Sequence, residues 1–235
     1  MTMINIATFD HSGQLDAYVA LPAGTPKAAI IVIQEIFGVN PGIRQKCDHW
    51  AKLGYLAIAP DLFWRIKPGI QLDPDLDAEL QEGFGYFQAY DPNEGVQDIE
   101  ATIRAIRMGI DGIAPVAKVG CVGYCLGGKL AYMAAARTDI DASVGYYGVM
   151  IDQMLNESHA IAHPLMLHIP GADHFVPADQ QAAIHAGLDD HPKVVLHDYP
   201  GLDHGFAAEM GNRRNEAGAQ LADGRTRDFF ARYLG

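Results

Sequence analysis

Residues 28–34 form an unbroken apolar run ending in a glutamine, the pattern of a strand buried on both faces of a sheet. Similar short runs recur at 55–59, 118–122, 142–147, 165–169 and 194–199, and each predicts a strand. Residues 4–9 and 15–21, joined around His11-Ser12-Gly13, read as an N-terminal hairpin. Helical patterns lie between the runs. Asn40-Pro41 supplies a cap and a first-turn proline for a helix that stops at Gly54. Residues 78–89 predict a short helix. Asp91-Pro92-Asn93-Glu94 has the form of a capping box, and the helix it opens carries Val96, Ile99, Ile103 and Ile106 at helical spacing. Further helices are expected after residue 125, over 178–188, and at the C-terminus to about Tyr233. Residues 62–75, with Pro68, Gly69 and Pro74, read as an irregular loop. Strand and helix alternate throughout. The expected class is therefore α/β, one domain over residues 1–235, with a mostly parallel central sheet and helices on both faces.

Composition narrows the partners. A formal net charge of −12 leaves no basic stripe to neutralise phosphates, so nucleic acid is not an expected partner. No apolar run is long enough to span a bilayer, and the N-terminal residues lack the charged and apolar regions of a signal peptide. A cytoplasmic protein is expected, without a membrane partner, as a monomer or weak homo-oligomer. The three cysteines, Cys47, Cys121 and Cys125, do not make a disulfide framework. Cys121 and Cys125 lack the clustered ligands of a metal site, and no metal is expected.

The chemistry centres on Gly123-Tyr124-Cys125-Leu126-Gly127-Gly128. A strand enters Gly-x-Cys-x-Gly and a small-residue helix leaves it, which is the setting of a nucleophile elbow. The glycines permit a cramped turn around residue 125, and the helix N-terminus favours negative charge on the sulfur. On such an architecture an acid and then a histidine follow the nucleophile, each just past a late strand. Asp173 stands directly after the 165–169 run, although it would equally serve as a cap for the next helix. His204 lies in a glycine-bounded loop after the last strand, with His174 as its nearest rival. Glu35 ends the 28–34 run, where a carboxylate is costly unless it is paired or opens onto a cleft. The backbone N–H groups of Ile36 and Leu126 are expected to receive an oxyanion. Phe37, Phe63, Trp64, Phe84 and Phe206 are candidate walls for a substrate pocket, with Arg65 a candidate cation.

Together with Gln34-Glu35-Ile36-Phe37-Gly38, Ala59-Pro60-Asp61-Leu62-Phe63, Val144-Gly145-Tyr146-Tyr147-Gly148, Gly171-Ala172-Asp173-His174-Phe175-Val176-Pro177 and His204-Gly205-Phe206, the elbow resembles the dienelactone hydrolase family of the α/β-hydrolase superfamily over nearly the whole chain. The resemblance implies a Cys125–Asp173–His204 triad that opens an enol-lactone or small ester through an acyl-thioester, without a cofactor. It also implies that Glu35 restrains the thiol and takes its proton when substrate enters. Family members that act on dienelactone hold its carboxylate with two arginines. Leu80 and Ala208 stand near those places here, leaving Arg65, Lys67, Arg213 and Arg214 as possible replacements. A carboxylesterase of broader range with the same triad is the close alternative. A redox pair of Cys121 with Cys125, or a nucleotide-binding Gly-rich turn, are readings from other classes. The first lacks the spacing of a thiol–disulfide motif, and the second lacks both G-x-G-x-x-G and a ribose-binding acid.

Overall fold

The N-terminal strands β1 (Thr2–Ala7) and β2 (Gln14–Ala20) form the expected hairpin in the computed structural model, which describes residues 2–9 and 12–235; His11 of the predicted turn lies outside the described residues. Strand β2 pairs antiparallel with β4 (Leu56–Pro60). From there the sheet is parallel. It runs through β3 (Ala29–Ile33), β5 (Val119–Tyr124), β6 (Ala142–Tyr146), β7 (Leu165–Pro170) and β8 (Val194–Tyr199), giving the order β1-β2-β4-β3-β5-β6-β7-β8. Burial follows position in the sheet. Every residue of β3, β4, β5, β6 and β7 is buried, whereas β1 and β8 at the edges alternate or open to solvent.

Helices α1 (Pro41–Lys52) and α6 (Glu216–Tyr233) cover one face, burying Trp50 and Phe230 edge to face with centroids 5.3 Å apart. Helices α3 (Pro92–Met108), α4 (Leu126–Arg137) and α5 (Ala178–Leu188) cover the other, with α2 (Asp77–Ala89) resting on the same layer through Phe84 and Phe87. The predicted starts hold. Asn40 accepts a hydrogen bond from the Ile43 amide at 3.1 Å, and Asp91 accepts one from the Asn93 amide at 2.8 Å. The second half of the expected capping box does not form among the described residues; Glu94 faces Arg65 at 3.8 Å instead. A 3-10 segment, Ile151–Ala160, occupies a stretch where the sequence pattern assigns no element.

Backbone crowding places the site. A Cβ on Gly123 would lie 1.9 Å from the Gly127 carbonyl oxygen, and one on Gly127 would lie 2.5 Å from the Ile33 carbonyl oxygen. Strands β3 and β5 therefore meet α4 at a distance only glycine allows. Gly123→Ala should cost at least the ~1–3 kcal/mol typical of overpacking. Chemical denaturation reads this directly, and an unchanged midpoint would contradict it. The 62–75 loop is irregular, as expected, and is tied to the end of β3. Gly38 bridges Gln71, the Leu72 amide donates to the Phe37 carbonyl at 2.9 Å, and Asn40 Nδ2 donates to the Leu72 carbonyl at 3.2 Å.

Candidate active site

Cys125 occupies the turn between β5 and α4 with φ of 55° and ψ of −113°. That is a strained backbone for a residue with a Cβ, stabilised by the Cys125 amide donating to the Tyr146 carbonyl at 3.0 Å. It is the one cysteine of the three with partial exposure. Cys121 is buried within β5 beside Ser143, and burial pushes its thiol up to about 12. Its place is that of a packing residue inside the sheet.

Asp173 and His204 come together from the loops after β7 and β8. His204 Nδ1 bonds Asp173 Oδ2 at 2.9 Å, and both side chains are buried. The other carboxylate oxygen accepts the Phe175 amide at 2.8 Å and the Val176 amide at 3.3 Å. Asp173 thus braces its own loop and orients the imidazole at once. Its expected rival role, capping the next helix, goes instead to Pro177, which supplies no side-chain hydrogen bond. The ring is wedged between Phe175 and Tyr147, with centroids at 4.8 and 4.9 Å. Burial opposes charge on His204, but the Cys125 sulfur and the Asp173 carboxylate outweigh it and lift the imidazole to about 10. Nε2 has no aligned hydrogen-bond partner among the described residues, so the thiol lies close to it without sharing a hydrogen bond of good geometry. Such bonds commonly tighten only with substrate present.

One residue here went unread in the sequence. Asp203 Oδ1 accepts the His204 amide at 2.7 Å and the His174 amide at 3.2 Å, and it pairs with His174 Nδ1 at 2.8 Å. This carboxylate ties the acid-bearing loop to the histidine-bearing loop. It explains His174, which is held at the exposed rim while His204 points inward.

Cys125, His204 and Glu35 open onto one cavity of about 170 Å³. Burial raises the Glu35 pKa, against the positive charges of His204, Lys46 and Arg213, which lower it. Tyr147 Oη approaches the carboxylate but makes no aligned hydrogen bond. The amides of Ile36 and Leu126 flank the site from the ends of β3 and α4, and neither donates to a protein group among the described residues. Of the expected walls, Phe37 and Phe84 line the cavity. Phe63 and Phe206 do not: both are fully buried, on opposite core layers. Trp64 and Arg65 are turned away, the indole Nε1 donating to Asp98 at 3.0 Å and the guanidinium paired with the same carboxylate. Their places are taken by Leu80, Phe87, Val149, Met150, Phe175 and Met210.

Residues 15–234 match the dienelactone hydrolase family. The chain belongs to that family. A relative from Azospirillum brasilense is 42% identical over the whole of both chains. The carboxymethylenebutenolidase of Pseudomonas putida is 38% identical, with 97% of this chain and 95% of that one covered. A solved structure from Klebsiella pneumoniae superimposes with a TM-score of 0.80 at 25% identity, covering 99% of this chain and 100% of the other. The sheet order is that of an α/β-hydrolase fold. Leu80 and Ala208, where the sequence resemblance leads one to expect carboxylate-binding arginines, both line the cavity as apolar walls. Of the possible replacements, Arg65 pairs with Asp98, Lys67 with Glu82, and Arg214 with Glu209 and Glu216. Arg213 alone lines the cavity, its guanidinium 5.9 Å from the Phe175 ring centroid.

Proposed function

We propose that this protein hydrolyses small lactones or esters through a thioester on Cys125, with His204 and Asp173 completing the triad. The observation that supports this most is the buried His204–Asp173 pair, whose imidazole faces the same cavity as a cysteine on a positive-φ elbow. The proton inventory closes. Glu35 takes the proton from Sγ, and the thiolate attacks the substrate carbonyl carbon. The amides of Ile36 and Leu126 receive the oxyanion. As the acyl carbon–oxygen bond breaks, charged His204 gives its Nε2 proton to the leaving oxygen. His204 then takes a proton from water, whose oxygen attacks the thioester and expels the thiolate. Glu35 returns the first proton to sulfur. In a lactone the leaving oxygen stays tethered, so one open-chain product results. The burial-raised pKa of Glu35 suits a group that holds the thiol proton during turnover, and the neighbouring Asp173 carboxylate favours the charged imidazole that protonates the leaving oxygen.

Substrate charge is set by the walls. A cavity lined by Leu80, Phe84, Phe87 and Ala208, with Arg213 at one side, suits a small apolar ester or lactone with room for one carboxylate at Arg213. This favours a broader range than a site with two arginines. The test is a screen of dienelactone, related lactones and short aryl esters, with Cys125→Ala as the control. Turnover of both classes is expected. Arg213→Gln should lower kcat/KM for carboxylate-bearing substrates by about tenfold, the worth of ~1.4 kcal/mol, and leave neutral esters within a small factor. Equal losses on both classes would remove Arg213 from charge selection. Ester hydrolysis that survives in Cys125→Ala would remove the proposed nucleophile.

A further inference from the structure

Beside the substrate cavity, sharing Glu35, Ala208 and Met210 with it, lies a second, much smaller space of about 10 Å³. Its lining includes Glu35, Asn40, Lys46, Tyr124, Tyr147 and Glu209. The volume fits one water molecule, and the lining offers the several polar partners that a buried water requires. Two features mark it as more than a packing defect. Tyr147 Oη, in a residue only 1% exposed, approaches the Glu35 carboxylate but makes no aligned hydrogen bond among the described residues. Lys46 is 5% exposed, an unusual place for an ammonium, and is held at 2.9 Å from Glu209 Oε1, 3.4 Å from Asp223 Oδ2 and 5.2 Å from the centroid of the Tyr124 ring. Lys46, Tyr124 and Glu209 also line a surface cleft on the far side, so this small space lies between the catalytic cavity and that cleft.

We propose that one water molecule occupies this space, joining Tyr147 Oη and the Glu35 carboxylate to Lys46, and that Lys46 acts through it as the positioning residue for Glu35. The proposal rests on the role given to Glu35 above. Lys46 comes from α1, and its neighbours Glu209 and Asp223 come from the 205–215 loop and α6. The other charged or titratable groups facing Glu35 are His204 and Arg213 from the loop after β8, Cys125 and Tyr124 from the end of β5, and Tyr147 beyond β6. Burial favours a protonated Glu35, which cannot take the thiol proton. The Lys46 charge opposes burial, in company with His204 and Arg213. Unlike those two, Lys46 does not line the substrate cavity and so stays in place when substrate fills it.

The test compares Lys46→Met, Lys46→Arg and Glu209→Gln by the pH dependence of kcat/KM and of Cys125 alkylation by iodoacetamide. The other two cysteines are buried and do not compete for the reagent. Loss of the positive charge raises the Glu35 pKa further, so the acid limb of both profiles should move to higher pH by about one unit in Lys46→Met. Lys46→Arg should restore the limb. Glu209→Gln, which frees Lys46 from a competing carboxylate, should move it to lower pH, and it serves independently should Lys46→Met not fold. An unmoved acid limb in folded Lys46→Met, or a shift that arginine fails to restore, overturns the proposal and leaves the Cys125 chemistry standing. Glu35→Gln separates the two failures: unchanged alkylation and turnover in that variant would instead remove the role of Glu35 itself. A high-resolution crystal structure with no density in the space beside Tyr147 Oη would overturn the water.

Discussion

Cys125→Ala is expected to lower kcat by about 10⁴–10⁶-fold, the scale on which a covalent nucleophile acts. The fold should survive. Alanine is smaller than cysteine and also carries a Cβ, so the turn with φ of 55° is no harder for it to adopt. The comparison is therefore clean, with the same denaturation midpoint within about 1 kcal/mol and no turnover. Residual activity within tenfold of the native protein would mean that another group forms the acyl bond.

His204→Ala is the second large effect. The imidazole supplies a proton to the leaving oxygen and takes one from water, so its loss should reduce kcat by about 10⁴-fold. It should also destabilise the protein. The ring fills the space between Phe175 and Tyr147, and without it Asp173 remains a buried carboxylate with only the Phe175 and Val176 amides for partners. The pH dependence has a definite sign. His204 is raised from 6.5 to about 10 on folding, so its pairing stabilises the protein fully below about pH 6.5 and is lost as the pH rises towards 10. In His204→Gln that fall in stability over the alkaline range should be absent. A variant with near-native kcat, or with the same alkaline profile as the native protein, would contradict the assignment.

What could be read before the structure, and what could not, divides along physical lines. The elbow was legible because its cause is local: glycine at 123 and 127 is demanded by backbone atoms within a few residues or on the adjoining strand. Central strands were legible because burial on both faces leaves continuous apolar runs, as in β3. Asp173 and His204 were legible through strand order, which fixes where the loops after β7 and β8 emerge. The walls of the cavity were only half legible. Phe37 and Phe63 look alike in sequence, each an aromatic just beyond a strand, yet one faces the cavity and the other is fully buried against Tyr90. Which way a loop side chain turns depends on partners far along the chain. Arg65 is claimed by Asp98, 33 positions away, whereas Arg213 makes no ion pair within 4 Å among the described residues and lines the cavity. The 3-10 segment at 151–160 was invisible for a different reason: a helix with three residues per turn and no sustained apolar stripe leaves no period to detect.

Intact-mass spectrometry of enzyme quenched during turnover of a short ester tests the central claim most directly. A covalent acyl adduct that maps to the peptide holding Cys125 and is absent from Cys125→Ala is the predicted result. Turnover with no adduct at any time, or an adduct that maps to another residue, would contradict it.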